Sequence, residues 1–356
     1  AGELLDRYAT LLGGGPEVGL EKTLLAVRQG KVNPGDESYL WAMIEQNPND
    51  ATVIVEVLVP YYLEHYHFQS AGQALELWLQ IDPGAVRPLL LRAQVYEAMG
   101  DPQKALADYR QAVKLAPDSE EAELQLAIQL VGHLKAAEAA GHFEHLLQGR
   151  PDSAIVLVGL ARCRYLTGDA RTAQDLLKRA LAMHPNSVNA LCELGQIALE
   201  DGHVEDAERW LQEALRQDPY ERDALHLLAR CYQKLDKKNL AKEYTARFTK
   251  VDADLVRLKK LAREVLDAPR NPDLRYEAGV ICLRNGQAQE GLRWLSGALQ
   301  IDPQHGPTHQ ALADYYEKAG EPETAARHRQ KAAGHQEKTA GPGTRPGKQR
   351  LSTRKH

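Results

Sequence analysis

From Thr52 onward apolar residues recur with a helical period, first as Ile54, Val55, Leu58, Val59 and Tyr62, then as Ala71, Ala74, Leu75 and Trp78. Two such stretches either side of a short polar break predict an antiparallel helix pair. Between Ala85 and Pro219 the pair recurs with the same residue types in the same columns. The first helix carries a small residue at Ala93, Ala127, Ala161 and Gly195. The second carries Ala105, Ala139, Ala173 and Ala207, then Tyr109, Phe143, Leu177 and Leu211, then Ala112, Leu146, Ala180 and Ala214. Helices about 8–10 Å apart need small side chains at the crossing and large ones beside it, so these columns predict close packing both within and between pairs. Gly100, Gly168 and Gly202 fall between the two helices, where the turn calls for a left-handed residue.

Pro83, Pro117, Pro151, Pro185 and Pro219 stand 34 residues apart, and the interval from Pro269 to Pro303 is again 34. The pair is therefore a repeat, and the core grows by adding units. After Pro219 the next proline is due at Ala253, but helical pattern continues through Leu255, Leu258, Leu261, Val265 and Leu266. The slip of 16 residues predicts an extended or extra helix. Upstream, Pro16 to Pro48 encloses helices expected at Glu17–Arg28 and Asp36–Gln46, with a short one at Gly2–Leu12 before the glycine break. The expected organisation is capping helices over 1–51, a main array over 52–253, the helical insert over 254–268, further pairs over 269–333 and a disordered basic tail over 334–356. In the last pair Arg329 replaces an outer apolar residue, which suits a terminal cap.

Val86–Pro117 carries Leu89, Arg92, Ala93, Tyr96, Ala105, Tyr109, Ala112 and Pro117, and Val188–Pro219 carries Leu191, Leu194, Gly195, Ala207, Leu211, Ala214 and Pro219. On these residues the chain resembles the tetratricopeptide repeat family, in the manner of its bacterial scaffold members. The resemblance implies an all-α, right-handed superhelical solenoid of antiparallel helix pairs, roughly eight of them. It also implies a concave groove, lined by first helices, that holds a partner's peptide or helix. Two specialised patterns of the family are missing. Leu90, Gln94, Gln125, Ile155 and Gly159 do not supply the chaperone-binding carboxylate clamp, and Leu91, Gln125, Gly159, Glu193 and Leu227 contain no asparagine ladder of the sugar-transferase kind.

Composition narrows the function. The formal net charge is -5, yet Gly334–His356 holds six Lys or Arg beside one acidic residue, so the body is distinctly acidic. Nucleic acid needs a basic face, so none is expected as ligand. The apolar run Ala51–Leu63 contains Glu56 and Pro60 and is too short to span a bilayer. Cys163, Cys192, Cys231 and Cys282 form no CxxC motif and read as buried thiols of a reduced, cytoplasmic chain. The opening at Ala1, without an initiator Met, is also what removal of an upstream export or anchoring segment would leave. The stretch Gly14–Thr23 has Leu20 and Glu21 where a phosphate loop would place its lysine. His142 and His145, like His65 and His67, lack the third and fourth ligands of a metal site. No cofactor, metal or catalytic residue is expected.

The remaining candidate is the inner face. Arg162, Tyr165, Asn189, Gln196, His226, Arg230 and Lys234 project from it in the middle of the array and make a polar, partly basic stretch that favours an acidic segment. The expected function is a non-catalytic scaffold or adaptor binding a protein or peptide partner, an acidic one on this reading of the face. The alternatives are a regulatory or substrate-recruiting subunit of an enzyme system and an RNA-binding helical repeat. Charge reversal of Arg162 and Arg230 together is expected to remove partner capture with helical content intact.

Overall fold

A computed structural model describes residues 16–29, 32 and 35–339. The expected Gly2–Leu12 helix, the Gly13–Gly15 break and residues 340–356 of the expected tail lie outside the described residues, whereas 334–339, also expected as disordered tail, continue the last helix. All regular structure among the described residues is helical, so the chain is an all-α solenoid of antiparallel pairs. It divides into two compact units, Ala1–Asp267 and Ala268–His356.

In the first unit α1 (Pro16–Arg28), α2 (Asp36–Gln46) and a 3-10 turn (Pro48–Asp50) precede α3 (Ala51–Glu64) and α4 (Phe68–Ile81). The regular pairs follow as α5 (Val86–Ala98) with α6 (Pro102–Leu115), α7 (Glu120–Gly132) with α8 (Ala136–Gly149), and α9 (Ala154–Leu166) with α10 (Ala170–Met183). The unit ends with α11 (Val188–Glu200) and α12 (Val204–Gln217), then α13 (Arg222–Lys234) and α14 (Lys238–Asp267). The second unit holds α15 (Pro272–Arg284) with α16 (Ala288–Ile301) and α17 (Gly306–Lys318) with α18 (Pro322–Thr339).

The proline beat has a direct backbone cause. A residue before proline is driven out of the helical region. Ala116, Arg150 and His184, each followed by proline, adopt φ/ψ of -132/81, -133/78 and -133/83 and end α6, α8 and α10. Ser119 and Ser187 then cap the next helices, accepting from Ala122 N at 3.3 Å and Ala190 N at 3.5 Å. Where Ala253 replaces the expected proline nothing stops the helix, and α14 runs for 30 residues, to just before Pro269. The insert is thus a continuation of the second helix of its pair. Within α3 the helix also runs unbroken through Pro60.

The columns pack as their sizes demand. Ala93, Ala127, Ala161, Ala105, Ala139, Ala173 and Ala207 are fully buried. A Cβ added to Gly195 would stand 2.5 Å from Leu211 Cγ, so α11 and α12 approach through this glycine. The turn between α7 and α8 departs from the glycine rule. Leu134 occupies the left-handed region there at φ 58 and is 84% exposed. The aromatic cluster near Pro60 is packing: Tyr62, Tyr66 and Phe68 are buried, and the Tyr62 hydroxyl donates to Glu37 Oε1 at 2.7 Å while accepting from Trp41 Nε1 at 2.9 Å.

The last pair is joined by two imidazoles. His309 Nε2–H donates to Pro303 O at 3.1 Å, which leaves its Nδ1 to accept from His328 Nδ1 at 2.9 Å. Burial, then mutual repulsion and Lys331, hold His328 below the ordinary imidazole value. His309 is lowered first by burial as well, against the opposing pull of the Pro303 bond. The unfolded chain therefore binds protons that the folded chain does not. The contribution of the pair is present above the unfolded value, about 6.5, and lost as pH falls below it toward the folded values. Melting temperature should drop between about pH 7.5 and about pH 5, and His328→Gln should flatten the drop. An unchanged slope in that variant would assign the acid sensitivity elsewhere.

Candidate peptide-binding groove

First helices pack against first helices, α7 on α9, α9 on α11 and α11 on α13, with no comparable packing between successive second helices. The layer whose members approach most closely is the inside of a bend, so first helices form the concave side of the first unit. Arg162 and Tyr165 project from α9, Gln196 from α11, and Arg230 and Lys234 from α13. The structure gathers these five around two carboxylates. Arg162 donates to Glu193 Oε1 at 2.9 Å. Tyr165 donates its hydroxyl to Glu200, which also accepts from Gln196 Nε2 at 3.1 Å.

The two acids differ in environment. Glu193 is 9% exposed, and burial lifts its carboxyl above the ordinary value against the pull of Arg162. Glu200 is exposed and held below it, first by the Tyr165 bond, with Arg230 and Lys234 adding their charges. Lys234 also donates to Leu199 O at 3.2 Å. The basic stretch read from sequence is accordingly a balanced network, with Arg162 already engaged by its own chain. The other two candidates stand apart: His226 lies against the Phe248 ring at 4.8 Å, and Asn189 is exposed at the start of α11.

Sequence reasoning missed the apolar part of this face. Ile128 (38% exposed), Ile155 (54%) and Leu166 (48%) stand on α7 and α9 beside half-buried Leu124 and Val158. It also missed a cleft in the second unit, about 600 Å³, between α15 and α17. Tyr276, Val280, Leu283, Pro307 and Tyr315 form its apolar walls, with Arg284 and Lys318 at the C-terminal ends of the two helices. The signal was available: the column Gln94, Ile128, Arg162, Gln196, Arg230, carried past the 16-residue slip, continues as Val280 and Asp314.

His142 and His145 both turn to Glu123, at 3.1 and 2.8 Å. Among the described residues no group of three or more His, Cys, Asp or Glu could hold a metal ion, and no helix is long and apolar enough to cross a membrane. The four thiols are buried, which pushes Cys163 and Cys231 up to about 11 and Cys282 to about 12, so they are poor nucleophiles at neutral pH.

A curated relative, the human (Homo sapiens) protein O-mannosyl-transferase TMTC3, is 23% identical over 195 residues, 54% of this chain. The chain spans only 21% of that protein's length. Among solved structures, the type IV pilus biogenesis factor PilW is 26% identical, with a TM-score of 0.49 over 55% of this chain and 91% of that one. PilF of Pseudomonas aeruginosa is 16% identical, with a TM-score of 0.46 over 62% of this chain and 98% of that one. Tetratricopeptide repeat models match residues 86–119, 130–187, 167–222, 223–254 and 257–305. These matches coincide with the helix pairs and their shared columns, and the chain belongs to the tetratricopeptide repeat family.

Proposed function

We propose that this protein is a non-catalytic scaffold whose inner helix faces take an extended or helical segment of a partner protein. Repeats of this family generally serve protein interaction rather than catalysis. The observation that carries the reading is the cleft between α15 and α17. It is of ligand-pocket size and is built from the same inner-face columns that carry the Arg162–Glu200 network in the first unit. Apolar walls with Arg284 and Lys318 at one end suit a segment that offers an aliphatic or aromatic side chain followed by a carboxylate.

The test is selection of peptides from a random displayed library, followed by anisotropy titrations with the selected sequences. Selected peptides should be rich in apolar residues followed by Asp or Glu. Val280→Glu should weaken them by roughly tenfold or more, the loss expected when a charge enters an apolar anchor site, with an unchanged melting temperature. Equal binding by Val280→Glu would remove the cleft from the reading. The RNA-binding alternative makes a different forecast, a single-stranded RNA affinity falling steeply with salt.

A further inference from the structure

From Val32 to Val86 the chain holds eight acidic residues and no Lys or Arg in 55 positions, where the composition of the whole chain would place roughly seven cations. The stretch cannot neutralise itself with Lys or Arg, and the two sides of its helices differ in what answers the charge. On the first-helix side Glu56 and Glu64 of α3 share a cleft with Arg28 and Arg87. On the second-helix side a cleft of about 570 Å³ lies between α2 and α4, lined by Glu37 and Trp41 from one helix and by Gln73, Glu76, Leu77 and Gln80 from the other. No cation is among these lining residues. Trp41 is fixed in the wall: its Nε1 donates to the Tyr62 hydroxyl at 2.9 Å, which donates on to Glu37 Oε1 at 2.7 Å.

Gln73 and Glu76 also stand at the rim of a second cavity, about 410 Å³, on the other side of α4. Phe68 and Gly72 of α4, Val95 and Met99 of α5 and Leu266 of α14 are its apolar walls. Arg92, which lines it too, is engaged by both carboxylate oxygens of Asp108 at 2.8 Å. This cavity has a cause in the sequence. The column of Gly72 carries Leu106 and Ala140 in the next two units, and both are buried. Gly72 leaves the place empty, and a Cβ added to it would meet no atom within 4 Å. Glycine inside a helix is destabilising relative to alanine, and here, unlike at Gly159 or Gly195, no neighbouring side chain demands it.

We infer that the outer face of α4 is a second docking surface, for a basic segment of a partner protein that lays an Arg or Lys side chain against Trp41 between Glu37 and Glu76 and, across the α4 ridge, an aliphatic side chain in the cavity over Gly72. A cation gains from an indole face and from flanking carboxylates at once. The two cavities stand on opposite sides of one helix, about 10 Å across, a distance that three or four residues of extended chain span. A small amine would use the acidic cleft alone, whereas the wall shared through Gln73 and Glu76 suits a chain that fills both. The surface lies away from the concave columns and stands independently of the groove.

Random displayed peptides are selected on the full chain and counter-selected on Glu37→Gln with Glu76→Gln, where the new amide oxygen still accepts from Tyr62. The surviving peptides should carry Arg or Lys with an aliphatic residue three or four positions away. In anisotropy titrations Glu76→Lys should weaken them by roughly tenfold or more, and so should Gly72→Leu, which fills the cavity and leaves the melting temperature unchanged or raised. Val280→Glu should bind them as the parent does. Recovery of no basic peptide, or equal affinity in Gly72→Leu and the parent, would overturn the inference. Spermine binding as tightly as the selected peptides would overturn it in favour of a small polyamine.

Discussion

Phe143→Ala should destabilise the first unit by about 3–5 kcal/mol, the usual cost of deleting a fully packed aromatic ring. Phe143 is 1% exposed on α8 and fills the space over Gly159 of the next first helix, where a Cβ would come within 2.5 Å of the ring. Gly159→Ala should cost about 1–3 kcal/mol by the opposite fault, since the enclosed ring has nowhere to retreat. The chain itself suggests the repair. Where the second helix carries Leu177 or Leu211 in this column, the residue 16 places on is the larger Glu193 or Leu227; where it carries Phe143, it is Gly159. Phe143→Leu combined with Gly159→Ala should therefore be clearly more stable than the losses of Phe143→Leu alone and Gly159→Ala alone added together. Urea titrations followed by far-UV circular dichroism measure the parent and these variants. Strict additivity would mean that ring and glycine do not share the contact that their distances describe.

This compensation explains why the fold was so legible. A repeat repeats its size constraints, so small columns, large flanks and prolines stand out of one sequence by internal comparison. Ala93, Ala127 and Ala161 announce a crossing because each recurs in register, and Ala116, Arg150 and His184 take the same extended backbone because each precedes a proline. The groove was less legible. Inner-face residues vary from repeat to repeat, and whether Arg162 is an anchor or half of an internal pair depends on Glu193, 31 residues away on the neighbouring first helix. The reach of α14 back to the turn between α5 and α6 was not legible at all, for Arg263 Nε donates to Met99 O at 3.3 Å across 164 residues and no periodicity connects them.

Charge reversal on the inner face should consequently give two different results, where sequence reasoning expected one. Arg162→Glu sets a second carboxylate beside Glu193, which is buried and already carries the cost of desolvation. The loss should be about 1–3 kcal/mol, less than for a wholly buried pair because Arg162 itself is largely exposed. It should depend on pH with a definite sign. Glu193 has a folded value above its unfolded one, so the folded state favours its proton. That preference stabilises fully below the unfolded value, near 4.5, and is lost as pH rises through the folded value. A second acid raises the folded value further, so the gap between variant and parent should widen from about pH 4.5 to neutrality. Arg230→Glu faces exposed Glu200 and should shift stability by no more than about 0.5 kcal/mol. Loss of a selected peptide in Arg230→Glu with an unaltered melting temperature would then place the ligand on this face. Adding Glu193→Gln should restore most of the stability lost in Arg162→Glu, so the same peptide can be titrated on a folded protein that lacks this arginine. Chemical denaturation across pH settles the structural half, and a parallel, pH-independent loss would show that Arg162 does not hold Glu193 in its charged form.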